Sequence, residues 1–249
     1  MLNAREGNPE PGRTQPLDTR ISLCGIGLGA VLLFSMRVDS IQTGQPRTLG
    51  KAEASDPLDR QWTSAIWKEP VEGRVWAGRE GLSGDAQVHR AHHGGPERAL
   101  LLYPADHYPR WRTEWGTREI GPGGFGENLT VSGLDEHAVC VGDVLQIGAV
   151  RLEVSGPREP CSNLVQRHRR PDLMDQVRAT DRSGWYARVQ QEGWLERGLA
   201  IQLLDRPYPQ WPISRAARVK RERIREPAEA LLLAQCPGLL ADWRVRIGR

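Results

Sequence analysis

Between Arg37 and Pro207 the apolar runs are short and glycine or proline interrupts nearly all of them, which rules out a bundle of long helices. RVDSIQTG alternates apolar and polar positions. SAIWKEPVEGRVW reads as extended, with Pro70 at a bend or an edge. ALLLYP is a buried strand, and VGDVLQIGAVRLEVSGP is two strands joined by a tight turn near Gly148. GWYARVQQEG and LAIQLLDRP are strands again. Many short strands with turn residues between them predict a mainly β fold, a barrel or a sandwich. Short helices are expected in ADHYPRWRTEW and, in two pieces broken at Pro171, in NLVQRHRRPDLMDQVRAT.

Pro207, Pro209 and Pro212 end this pattern. Beyond them ISRAARVKRERI, EPAEALLLAQC and GLLADWRVRI carry helical periodicity, with Pro227 suited to a first helical turn. A three-helix module of this size barely buries a core of its own, so it should pack on the barrel. The expected organisation is an extension over 1–35, a β-barrel domain over 36–212 and the module over 213–249. Within the extension, Ile21–Phe34 is an apolar run too short for a comfortable membrane span of about 20 residues. It can be the core of a signal peptide, a loosely packed extension, or part of a mis-assigned leader before a start at Met36.

Net charge is +3, so composition implies neither a nucleic-acid nor a membrane partner. The basic residues are almost all arginine, and Lys51, Lys68 and Lys220 are the only lysines. Arginine suits bidentate recognition of phosphate or carboxylate. Four dispersed cysteines, Cys24, Cys140, Cys161 and Cys236, form no C-x-x-C pair. That argues against a zinc knuckle or a disulfide framework and for a reducing, cytoplasmic setting.

Chemistry concentrates in four places. SGPREPCSNL stiffens a loop with Pro157 and Pro160 and presents Cys161 at its end. Arg158 lies three residues earlier, and nearby positive charge favours a thiolate, which attacks electrophiles or ligates a soft metal. HRAHHGGPERAL offers His89, His92 and His93 as zinc ligands, or an anion cradle in which Gly94 and Gly95 expose backbone N–H groups and His93 and Arg98 add donors. A plain surface turn explains it equally well. GPGGFGENL has the same backbone freedom, with Glu127 and Asn128 at its rim and Asn128 able to read a heterocycle edge. TDRSGWY adds Arg182 and Ser183 beside Trp185 and Tyr186. Cys140 and Cys236 read as packing residues.

Taken in order, GLSGDAQ, HHGGPERAL, YPADHYPRW, GGFGENLTVSGL, VCVGDVLQIG, PREPC and SGWYARV resemble MOSC-domain proteins. The resemblance is to the YiiM-like type, related to the 6-N-hydroxylaminopurine resistance proteins, and runs from about Met36 to the C-terminus. It implies a MOSC-type β-barrel that binds the molybdenum cofactor (molybdopterin), with Cys161 as the molybdenum ligand and catalytic residue. It further implies reduction of N-hydroxylated bases or amines with electrons from a flavoprotein reductase. His93, Gly94, Gly95, Asn128, Arg158 and Arg182 are then the residues expected around cofactor or substrate. A homodimer stays open, while nucleic acid and membrane are not expected partners. Three positions depart from the pattern: Gly156 stands where glutamine is usual, Arg98 where lysine is common, and Asp181 where glycine precedes the arginine. Gly156 is expected to widen the pocket. The module, lacking any cofactor-type motif, is expected to dock the electron donor. The family's pyridoxal-phosphate-dependent sulfurases need a Schiff-base lysine and a large domain of their own, and neither is visible here. Two other classes compete with the reductase: a sulfur carrier or cofactor-handling protein with a persulfide on Cys161, and a nucleic-acid module using RAARVKRERIR.

Overall fold

Eight strands build one sheet in the computed structural model, which describes residues 36–88 and 94–248. The stretch 1–35, with Ile21–Phe34, and the histidines His89, His92 and His93 lie outside the described residues. In chain order the strands are Arg37–Thr43 (β1), Glu69–Pro70 (β2), Leu100–Pro104 (β3), Leu129–Ser132 (β4), Val144–Ile147 (β5), Val150–Pro157 (β6), Trp185–Gln191 (β7) and Ile201–Asp205 (β8). They lie in the spatial order β8-β5-β6-β7-β3-β4-β1-β2. Neighbours are antiparallel except β3 and β4, which run parallel. Every residue of β3 is buried, as its unbroken apolar run requires of a central strand covered on both faces.

The sheet curls until β1 meets the segment that leads into β8. Val38 N–H donates to the Leu199 carbonyl (3.0 Å), Gly198 N–H to Val38 (2.8 Å) and Ile201 N–H to Met36 (2.8 Å). These bonds satisfy backbone groups that an open edge would leave exposed, and they turn the predicted barrel or sandwich into a barrel. Pro70 sits in the edge strand β2, where a missing donor costs no ladder bond. The ribbon of Arg47–Leu49 and Trp62–Ser64 was not legible from periodicity, because three-residue strands carry too few alternations.

Six helices are present among the described residues: His107–Trp115 (α1), Ser162–His168 (α2), Leu173–Thr180 (α3), Ile213–Glu222 (α4), Pro227–Ala234 (α5) and Ala241–Ile247 (α6). The last three are the predicted module, with Pro227 opening α5. Its Ile213, Leu233, Leu239, Leu240, Trp243 and Ile247 belong to the same buried cluster as Val154 and Tyr186 of the barrel. Polar contacts pin it further. Leu240 N–H donates to the Ser155 carbonyl (2.8 Å), and Ala241 N–H at the start of α6 donates to Glu97 (3.1 Å). Arg188 ties Glu97 (2.9 Å) to Glu153 (2.8 Å) and to the Gly238 carbonyl (2.8 Å). None of the described helices is long and apolar enough to cross a membrane.

Gly156 corrects one expectation. It does not line the pocket but faces the module. A Cβ there would meet Leu239 at 3.2 Å and Leu240 at 3.3 Å, and its φ of 151° disfavours any L side chain. The glycine lets the module close on β6 instead of enlarging a binding space.

Candidate functional site

The Cys161 loop leaves β6 and enters α2, with Cys161 itself in extended backbone at the residue before the helix. It is half-buried on the wall of a partly open cavity. Three cations line the same cavity: Lys68, Arg98 and Arg158, exposed by only 7%, 9% and 4%. Its lining residues, among those described, include no carboxylate. The segment Ser64–Lys68 forms one wall and Gly126, Asn128 and Tyr186 form others.

Arg158 is set by its neighbours: its backbone N–H donates to the Gly184 carbonyl (3.1 Å) and its Nη2 to Phe125 (3.5 Å). Its Nη1 is buried without a hydrogen-bond partner among the described residues. A buried guanidinium donor left unpaired is costly, and an anion in the cavity would satisfy it. Lys68 was not singled out in the sequence. It pairs with Asp85, exposed by only 1%, whose carboxylate also accepts from Gly44 N–H (2.8 Å) and Asn128 Nδ2 (2.8 Å). Burial pushes the Lys68 ammonium down, while the Asp85 charge opposes that shift. The signal available was scarcity: two of only three lysines, Lys68 and Lys220, are buried, and one of them lines the cavity.

The glycine loop is held from below. Glu127 is fully buried rather than at a rim, and accepts from Gly123 N–H (2.7 Å), Phe125 N–H (3.1 Å), Thr130 Oγ1 (2.9 Å) and the Tyr108 hydroxyl. Gly126 must be glycine, because φ is 75° and a Cβ would stand 2.7 Å from Ile66 on the cavity wall. Asn128 lines the cavity, but its carbonyl accepts from Leu101 N–H (3.1 Å) and its amide is spent on Asp85. It holds the wall, and Asp85 with it.

His168 supports the loop from outside, its Nε2–H donating to the Gly124 carbonyl (2.7 Å). Burial lowers its pKa to about 4, against the bond to Gly124 that raises it. With an ordinary value of 6.5, the unfolded chain takes up this proton first as pH falls, so the neutral histidine's contribution is lost from about pH 6.5 down to 4. Thermal midpoints should therefore drop over that window, and His168→Gln should flatten the drop.

The other expected site residues are placed as follows. Gly94 and Gly95 do not line the cavity. Gly95, at φ 79°, accepts from Arg98 N–H (2.9 Å) in the turn Pro96–Arg98, and that turn delivers Arg98 to the cavity and Glu97 to α6. Arg182 is also elsewhere. Its guanidinium lies 3.9 Å from the Trp111 ring centroid and pairs with Glu114 (2.7 Å), although its Nη1, like that of Arg158, is buried without a hydrogen-bond partner among the described residues. Asp181 holds a left-handed φ of 54° at the end of α3, the conformation for which glycine is usual, and pairs with Arg221 of the module (2.9 Å). Cys140 and Cys236 are buried, which raises both thiols. No cluster of three or more metal-binding side chains occurs among the described residues.

Known proteins match this arrangement. Residues 89–202 fit the MOSC domain family. YflK of Bacillus subtilis is 38% identical over 158 residues, 64% of this chain and 71% of that protein. A protein named Reductase from Gibberella moniliformis is 37% identical over 209 residues, covering 81% of this chain but only 36% of that protein. The crystal structure of YiiM from Geobacillus stearothermophilus superposes with a TM-score of 0.70 at 33% identity, over 85% of this chain and 97% of that one. The chain belongs to the MOSC-domain family and is of the YiiM-like type.

Proposed function

We propose that this protein is a molybdenum-cofactor-dependent reductase of N-hydroxylated bases or amines. The observation that carries the reading is the cavity wall, where one thiol, three buried cations and the unpaired Arg158 Nη1 stand together without a lining carboxylate. That set suits a ligand with a soft metal at one end and a phosphate at the other. Cys161 would hold the molybdenum, and Arg158, Arg98 and Lys68 would hold the phosphate. When bound, the cofactor supplies two-electron redox chemistry. The overall change is R–NH–OH plus two electrons and two protons giving R–NH₂ and water. Electrons would come from a separate flavoprotein reductase. Within this chain the residues bind and orient: Asp85 and Asn128 fix Lys68, and the glycine loop keeps the wall close.

Elemental analysis and pterin fluorescence of protein expressed in a cofactor-competent host test this directly. Molybdenum and pterin near one per chain are expected. Protein that reproducibly lacks both, yet carries a labile sulfur on Cys161, would replace this reading with a persulfide carrier.

A further inference from the structure

Beside Cys161 lies a second recess that shares Arg98, Cys161 and Tyr186 with the first. Its outer wall is α6, through Asp242, Trp243 and Arg246, and its floor includes Pro157 and Pro160. The module assigned from sequence to a docking role thus reaches the cysteine. The two recesses differ in charge. In the first, Lys68 is paired with Asp85 and Arg98 with Asp242, both from outside its lining, and Arg158 keeps an unpaired Nη1 with no carboxylate among the described lining residues. In the second, Glu159 and Asp242 line the recess together with Arg98 and Arg246. Asp242 accepts from Arg98 (2.6 Å) and pairs with Arg246 (3.3 Å), while Glu159 pairs with Lys220 (2.5 Å). Lys220 in turn lies 3.9 Å from the Trp243 ring centroid.

We propose that this second recess is the substrate subsite and that it selects uncharged, flat N-hydroxy compounds over anionic ones. An anion entering there would have to displace Asp242 from Arg98 and Arg246 and would meet Glu159, an arrangement that rejects negative charge by juxtaposing like charge. An uncharged ring breaks no ion pair and gains apolar contact with Trp243, Tyr186 and the two prolines. Asp242 also fixes Arg98 at the boundary, so one guanidinium separates an anion-binding recess from a charge-compensated one. The identity of the reaction rests on the function proposed above, whereas the selectivity of the recess does not.

The test is calorimetric titration of the full-length protein with benzamide oxime and with its 4-carboxy analogue, which differ by one charge. Inorganic pyrophosphate serves as the probe for the first recess. The uncharged probe should bind at least tenfold more tightly. Asp242→Asn should shrink that preference to below threefold by leaving the arginines under-compensated. Arg246→Trp, at a half-exposed position where folding is not at stake, should weaken benzamide oxime at least tenfold and leave pyrophosphate unchanged. Equal or tighter binding of the carboxylated probe to wild type, or benzamide oxime binding indifferent to Arg246→Trp, would overturn the proposal. If the binding pattern holds but the loaded protein reduces no N-hydroxy compound, the reaction assignment fails and the subsite stands.

Discussion

Cys161→Ser is expected to reduce reductase-coupled N-hydroxy reduction to the level of the protein-free control. Serine keeps the size but replaces a soft sulfur with a hydroxyl that stays protonated at neutral pH, so a bound molybdenum loses its bond to the protein. The cations of the first recess are untouched, so pterin content should fall less than activity. Cys140→Ser and Cys236→Ser serve as controls. Both thiols are buried and neither lines the cavity, so each substitution should cost about 1–2 kcal/mol of stability and leave the specific activity of folded protein intact. Steady-state turnover, metal content and thermal melts on the three variants decide the matter. Full activity in Cys161→Ser would remove the cysteine from the mechanism. Iodoacetamide adds a second readout, since a ligated sulfur should alkylate more slowly than the same thiol in cofactor-free protein.

Deleting the chain after Pro212 should abolish cooperative folding, not merely weaken coupling to a reductase. From sequence alone the module is expected to pack on the barrel and to dock the electron donor rather than to hold the cofactor. The structure places Ile213, Leu233, Leu239, Leu240, Trp243 and Ile247 in the barrel's own buried cluster. At roughly 1.5–3 kcal/mol for each fully buried large side chain, their loss removes on the order of 10 kcal/mol, comparable to the whole stability of an ordinary domain. It would also expose Gly156 and the apolar back of β6, and take the partners of Arg98 and Glu159 with it. Circular dichroism and thermal denaturation of the truncated protein should show no two-state transition. A truncated protein that melts cooperatively within a few degrees of the full chain would mean that the shared cluster contributes little. The reductase-docking role can then be measured only with point substitutions on exposed positions of α4 and α5, since truncation would confound docking with folding.

What was legible in the sequence was local. Period-two alternation and turn residues marked the strands, because a strand's faces repeat within a few residues. Proline at 157 and 160 marked the stiff loop that carries Cys161, and Arg158 rode with it. Helical periodicity and Pro227 marked the module. What only the tertiary structure decided was which distant residues share the cavity. Lys68, Asp85 and Asn128 come from three separate segments and meet because β1 and β4 are adjacent and the glycine loop packs on Ile66. Arg98 and Asp242 are 144 positions apart and meet because the module closes on β6 at Gly156. Arg182, three residues before β7 and as plausible from its motif as Arg158, is drawn instead onto Trp111 and Glu114 by the packing of α1. Residue type and spacing thus marked the stiff loop of Cys161 and a mainly β fold. The choice among arginines depended on barrel closure and helix docking, which bring together side chains whose separation in sequence carries no periodic signal.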